Sequence, residues 1–182
     1  MRERTTGQLA RMGVYHLEVT PGRSPLPSAG LSPAALTSYW LELVASCAGL
    51  RAKRTELNHQ LDEVQKANDE SFESLYAVRY SGKIEIKTTE SILELVHEVL
   101  VGPGGNFCDE TCPHLAFGAT PGQVKAIVDA LDAAIRKVSD TLDEAEPRHP
   151  TYQSSRDEVG VLERFRIRLA ELHGALPFRT IG

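Results

Sequence analysis

The sequence predicts a mainly α-helical fold: an antiparallel helical bundle with one long N-terminal helix. Three observations support this prediction. Apolar residues recur every three or four positions along most of the chain, the connections between these stretches are short, and helix-capping residues begin several of them. With 182 residues, 41% of them hydrophobic, the chain is long enough to bury one core. We expect an N-terminal arm or linker over residues 1–32 and a single helical-bundle domain over residues 33–182.

The N-terminal arm has its own pattern. Tyr15, Leu17 and Val19 alternate with polar neighbours, which favours a short half-buried strand over residues 14–19. Residues 20–30 are rich in proline and glycine, as in an extended linker. An unstructured arm explains the same segment equally well.

The first helix is predicted to begin at Pro33, with Ser32 as its N-cap. Apolar residues then follow in steps of four and three, the heptad spacing of helices that pack at a shallow angle. A straight helix over residues 33–80 would be about 70 Å long. We therefore expect a break near residues 68–71, where short polar side chains compete with the backbone hydrogen bonds. The apolar residues in this register are Leu36, Trp40, Leu43, Cys47, Leu50, Leu57, Leu61, Val64, Phe72 and Leu75.

The segment after this break is consistent with two structures. Residues 76–80 and 83–87 both alternate, so a turn at residues 81–82 would make them a β-hairpin. Alternatively, helix continues to Tyr80 and ends at Gly82. Val78 keeps the heptad register, which favours helix before Gly82. In both cases residues 83–87 are predicted to form a minor β element, paired with 76–80 or with 14–19.

Three more helices are predicted downstream. One covers residues 89–101, and a second begins at a capping box formed by Thr120 and Gln123. The last helix is expected to be capped at Ser155. Their apolar faces are predicted to contain Ile92, Leu93, Val96, Val99 and Leu100; Val124, Ile127, Leu131, Ile135, Val138 and Leu142; and Val159, Leu162, Phe165, Leu169, Leu172 and Leu176.

A glycine-rich loop over residues 102–114 carries the side chains best suited to metal chemistry. Cys108 and Cys112 have the separation of a zinc ligand pair, and His114 follows two residues later. His97, on the preceding helix, is the candidate fourth ligand. The sequence thus nominates a zinc site made of these four residues, with a structural role favoured over a catalytic one.

The same loop has two other interpretations. Phe107, Leu115 and Phe117 could pack over the end of the bundle, in which case the thiols are incidental. A reversible disulfide between the two cysteines is the third alternative, since spacing alone does not fix the geometry that a disulfide needs.

A second candidate site lies in the first helix. Arg54 occupies a heptad position, where a charge is costly unless it is paired, and His59 follows five residues later. The string from Arg54 to His59 resembles the Arg-x4–6-His signature of HEPN ribonucleases, which are small helical bundles. That resemblance implies a metal-independent RNA-cleaving site that Arg54 and His59 complete across a dimer. The alternative is an arginine that pairs with a carboxylate or extends its charge to solvent.

Composition narrows the function classes. A net charge of −5 argues against a nucleic-acid partner, and no apolar run approaches the roughly 20 residues that a membrane span requires. Three cysteines suit a reducing, cytoplasmic setting. Our first hypothesis is a non-enzymatic interaction protein that binds a protein partner or self-associates, because the long helix has more apolar seam than the other predicted helices can cover. The alternatives are a metal-binding or thiol-dependent protein, including an enzyme, and a HEPN-like ribonuclease.

Overall fold

The computed structural model describes residues 30–67, 70–103 and 112–172. These residues form four α-helices that pack against one another: α1 (Pro33–Ala67), α2 (Phe72–Val101), α3 (Pro121–Glu144) and α4 (Pro150–Leu172). A short 3₁₀ helix (Pro113–Phe117) precedes α3 and contacts α1. The predicted helical bundle is therefore confirmed. The boundary between a separate arm and the bundle stays a prediction, since residues 1–29 lie outside the described residues.

Helix α1 begins where the capping residues predict. The Ser32 hydroxyl accepts a hydrogen bond from the Ala35 backbone N–H at 3.2 Å, and Pro33 is the first helical residue. The predicted break is also confirmed, because α1 ends at Ala67 and α2 starts at Phe72.

Helices α1 and α2 form an antiparallel hairpin. The Trp40 and His97 rings lie 6.3 Å apart near one end, while Arg51 donates to Glu90 at 2.5 Å further along. Residue numbers rise along α1 as they fall along α2, so the two helices run in opposite directions. Six members of the predicted heptad register are buried in the bundle: Leu36, Trp40, Leu43, Cys47, Leu57 and Leu61.

The predicted β element is wrong. Residues 76–80 and 83–87 both lie inside α2, which is one helix of 30 residues, and the described residues contain no strand. Residues 14–19, the other suggested strand, lie outside the described residues. Two buried threonines in α2 have hydroxyls that bond to the helix itself: Thr88 donates to the Ile84 carbonyl and Thr89 to the Glu85 carbonyl.

The length of α2 bears on the hypothesis that the protein self-associates through the first helix. We expected the apolar seam of α1 to be longer than the other predicted helices could cover. With α2 beginning at Phe72, the seam is covered by the chain's own second helix along most of its length. The apolar seam of α1 therefore gives no reason to expect self-association.

Helices α3 and α4 pack together and complete the core. The capping box at Thr120 and Gln123 is confirmed, with both reciprocal hydrogen bonds present. Helix α4 begins at Pro150, five residues before the predicted cap at Ser155, because proline is accepted at the first position of a helix. The contiguous core includes Leu43 of α1, Leu131 of α3 and Leu169 of α4, all almost fully buried.

The segment just before α1 is hydrogen-bonded to the segment just before α3. Leu31 and Ala119 exchange two backbone hydrogen bonds, of 2.8 and 2.9 Å, in an isolated antiparallel bridge. Gly118, next to this bridge, has a φ of +68°, which favours glycine. Leu31 is itself buried, so the segment just before α1 contributes to the core.

The far half of the hairpin lies beyond the contiguous core. The last α1 residue of that core is Cys47, and α1 continues to Ala67, which adds roughly 30 Å of helix. Leu57, Leu61 and Ile86 are buried there but are not part of the contiguous core. We call residues 51–67 and 72–87 the distal hairpin.

Candidate functional site

A cleft on the distal hairpin is lined by three cationic side chains and two aromatic rings. Its volume is about 260 Å³, and we call it the hairpin cleft. One residue comes from α1 and four come from α2; the lining residues are Arg54, Tyr76, Arg79, Tyr80 and Lys83.

Helical spacing explains why the four α2 residues share one surface. Tyr76, Arg79, Tyr80 and Lys83 stand at positions i, i+3, i+4 and i+7, which form one stripe along a helix. Arg54 reaches this stripe from the neighbouring helix α1. Because both helices are held by the hairpin packing, the stripe and Arg54 are supported by secondary structure rather than by a loop.

Arg54, Arg79 and Lys83, the three cations of the hairpin cleft, make no ion pair with any residue that the structure describes. Arg54 and Arg79 are partly buried, and Lys83 is exposed. Three cations in one small cleft repel each other, so an anionic ligand would bind there favourably.

The tyrosines of the cleft are half exposed: Tyr76 keeps 50% and Tyr80 46% of its surface accessible. Each offers a hydroxyl that can donate or accept and a ring face that can stack on a ligand. Next to this stripe, Ser81 donates a 2.7 Å hydrogen bond to Asp157 of α4, which ties the α2 backbone to the bundle.

A larger open groove of about 590 Å³ lies between α1 and α4, and three of the charged residues that line it pair with each other. Arg168 donates to both carboxylate oxygens of Glu42, at 2.6–3.0 Å, and also to Glu171 at 3.3 Å. The hydrogen bonds from Arg168 hold the pKa of Glu42 below its usual value, and the same contact raises the pKa of Arg168. Charged groups that satisfy each other leave less attraction for a ligand.

The four predicted zinc ligands are only partly placed. Cys108 lies outside the described residues. Cys112 and His97 are both buried, His97 against the Trp40 ring, whereas His114 is exposed beside Phe117. Within residues 30–67, 70–103 and 112–172, no three His, Cys, Asp or Glu side chains converge on a metal position. The zinc site and the disulfide therefore stay predictions. Of the residues expected to pack over the bundle end, Leu115 is buried, Phe117 is 84% exposed and so does not pack there, and Phe107 lies outside the described residues.

The predicted Arg54–His59 pair is separated by the geometry of α1. Five residues correspond to a rotation of about 140° around a helix axis. Arg54 lines the hairpin cleft, while His59 is exposed and is not among the lining residues. A ribonuclease site that both residues complete across a dimer stays a prediction.

Sequence reasoning found Arg54 but missed the other four residues of the cleft. Their i, i+3, i+4, i+7 spacing is visible in the sequence, but it places the four side chains on one surface only if residues 76–83 are helical. Because residues 83–87 were assigned to a strand, this shared surface was not recognised.

Comparison with known proteins identifies no relative of this chain. Neither a protein-family model nor a curated protein nor a solved structure matches this chain. None of the described helices has the length and apolarity that crossing a bilayer requires.

Proposed function

We propose that this chain is a non-enzymatic helical interaction protein of the cytoplasm, which binds an acidic segment of another protein through the hairpin cleft. The observation that carries the proposal is the presence of Arg54, Arg79 and Lys83 in one cleft with no ion pair to a described residue. A local positive surface on a chain with a net charge of −5 attracts anions to that place in particular.

The aromatic residues of the cleft support a protein partner. Tyrosine and arginine are enriched at protein interfaces, because each combines a large apolar area with hydrogen-bonding groups. Tyr76 and Tyr80 are half exposed. The hairpin cleft thus joins positive charge and exposed aromatic area on one surface.

A different chain is favoured over a second copy of this one. In a two-fold symmetric contact each surface meets itself, so Arg54, Arg79 and Lys83 of one copy would face the same cations of the other. Like charges that meet in an interface cost several kcal/mol. Light scattering distinguishes these two occupants. If the molar mass of the wild type rises with concentration, and Tyr76→Ser restores the mass of a monomer, the hairpin cleft binds a second copy and not an acidic partner.

The direct test uses a fluorescein-labelled decaglutamate peptide and its anisotropy on titration with the protein at low salt. We expect saturable binding that weakens as salt rises, because the contact is electrostatic. Arg79→Gln should weaken binding by about tenfold. Arg136→Gln removes the same charge from an exposed position on α3, outside the cleft, and should leave binding unchanged. Equal effects of the two substitutions would end the proposal.

A further inference from the structure

We infer that the anionic group recognised by the hairpin cleft is a phosphate monoester, carried on a phosphorylated side chain of the partner. The inference rests on the proposed function, because it concerns the same cleft. It goes further in naming the chemical group that Arg54, Arg79 and Lys83 bind and in making the interaction dependent on phosphorylation.

The number of cations favours phosphate over carboxylate. A carboxylate carries one negative charge and is satisfied by one guanidinium, as Glu42 is by Arg168 in this chain. A phosphate monoester carries about −1.5 to −2 at neutral pH and three strong acceptor oxygens. Three cations in the hairpin cleft match that charge and that number of acceptors more closely.

The placement of the cations also suits a tetrahedral group. Arg54 approaches from α1, whereas Arg79 and Lys83 approach from α2. Donors that converge from two helices can each meet a different phosphate oxygen. Clusters of arginine are the recurring means by which proteins recognise phosphorylated side chains.

The size of the cleft leaves room for more than the phosphate group. About 260 Å³ equals the volume of roughly nine water molecules at about 30 Å³ each. A phosphate group has five heavy atoms, so part of the chemical group that carries it also fits. Tyr76 and Tyr80 line this remaining space, and their ring faces can stack on a flat group such as the ring of phosphotyrosine.

Two ligands with the same ring give the sharpest test. Phenyl phosphate and benzoate carry the same ring and differ in the anionic group. Titrating each into the full chain at equal ionic strength therefore measures the preference of the cleft for phosphate over carboxylate. We expect phenyl phosphate to bind at least about tenfold more tightly than benzoate. Equal affinities would overturn the inference.

Substitutions test whether phenyl phosphate binds in the hairpin cleft. Lys83→Gln should weaken phenyl phosphate binding several-fold, whereas Lys137→Gln, an exposed lysine on α3, should not. Arg79→Gln should weaken it more, and because this residue is partly buried, far-ultraviolet circular dichroism is used to check that the variant is folded. Loss of binding in Lys137→Gln as well would show a non-specific charge effect and overturn the inference.

The source of the phosphate is tested with two further ligands. N-acetyl-phosphotyrosine amide represents a phosphorylated partner, and adenosine monophosphate represents a nucleotide. Tighter binding of the first supports the inference, and tighter binding of the second overturns its protein source.

The outcomes also separate this inference from the proposed function. If decaglutamate binds but phenyl phosphate binds no better than benzoate, the interaction function stands and the phosphate inference falls. If phenyl phosphate binds but decaglutamate does not, a general acidic segment is ruled out and only the phosphate site stands. If none of these ligands binds, both fall.

Discussion

Arg166 of α4 donates a 3.0 Å hydrogen bond to the carboxylate of Asp132 on α3, and both side chains are about nine-tenths buried. This ion pair joins two helices that are separated by a five-residue turn, residues 145–149. Removing one partner would leave the other charge buried without compensation, which is far more costly than losing an exposed pair.

The first prediction concerns this pair. Asp132→Ala should lower the free energy of unfolding by about 3 kcal/mol, because the guanidinium of Arg166 would remain buried and uncompensated. Urea denaturation followed by circular dichroism measures the change. Replacing both residues with leucine should cost less than Asp132→Ala alone, since it removes both charges.

The matched control is an exposed ion pair within α3. Lys125 and Asp129 lie one helical turn apart and remain more than half exposed. Asp129→Ala should therefore change stability by less than about 1 kcal/mol. Similar losses at positions 129 and 132 would contradict the distinction that burial makes between the two pairs.

The second prediction concerns pH. Arg168 holds the pKa of Glu42 below its usual value in the folded protein, so the stability from this contact is present above the unfolded pKa, near 4.5. It is lost as the pH falls through the lower, folded pKa. Solvent screens the pair, since both side chains are over one-third exposed, and we expect less than about 1 kcal/mol at pH 7.

Thermal unfolding of wild type and Glu42→Gln, compared between pH 7 and pH 3, measures this contribution. The wild type should be slightly more stable at pH 7, and the difference should shrink below pH 4.5. A difference that grows on acidification would have the wrong sign for a carboxylate with a lowered pKa.

The third prediction concerns Gly118. A Cβ at this position would lie 2.4 Å from the Leu31 carbonyl oxygen, and the φ of +68° is strained for any other residue. Gly118→Ala should destabilise the fold by roughly 1–3 kcal/mol and weaken the Leu31–Ala119 bridge. Amide hydrogen exchange at Leu31 and Ala119 reports on the bridge separately from global unfolding.

Gly49 provides the control for this substitution. It lies inside α1, and a Cβ there would meet no atom within 4 Å. Gly49→Ala should therefore stabilise the protein by up to about 1 kcal/mol, because alanine favours helix. The argument about Gly118 fails if both alanine substitutions shift stability in the same direction.

The fourth prediction concerns the thiols. Cys47 and Cys112 are both buried, so in a Cys108→Ser variant they should react slowly with an aromatic disulfide reagent until the protein is denatured. Rapid reaction of either thiol in the native protein would contradict its burial. The zinc hypothesis is checked on the wild type: a site that includes Cys108 requires stoichiometric zinc that Cys108→Ser removes.

Much of the fold could be read from the sequence, because helix signals are local. Ser32, Pro33 and the Thr120–Gln123 capping box marked helix starts that the structure confirms. The break near residues 68–71 followed from short polar side chains, and the apolar spacing of α3 and α4 identified Leu131 and Leu169 as core. In each case neighbours in sequence supply the decisive interaction.

The failure at residues 83–87 shows the limit of this reasoning. Alternation of apolar and polar residues favoured a strand there, whereas for residues 76–80 the register of Val78 favoured helix, as the structure has it. Packing along α1 overrode the local pattern and kept the segment helical. That one error hid the stripe of Tyr76, Arg79, Tyr80 and Lys83 and made the α1 seam look uncovered.

By itself, the sequence determined that this chain forms amphipathic helices, where several of them begin, and which residues face a core. Only the tertiary structure decided that Arg54 meets Arg79 and Lys83 in one cleft, and that Asp132 is buried with Arg166. The physical reason is the range of the interactions. Capping and periodicity act within a few residues of one helix, whereas a cleft or a buried ion pair depends on how two helices lie against each other, which is set by the packing of the whole core.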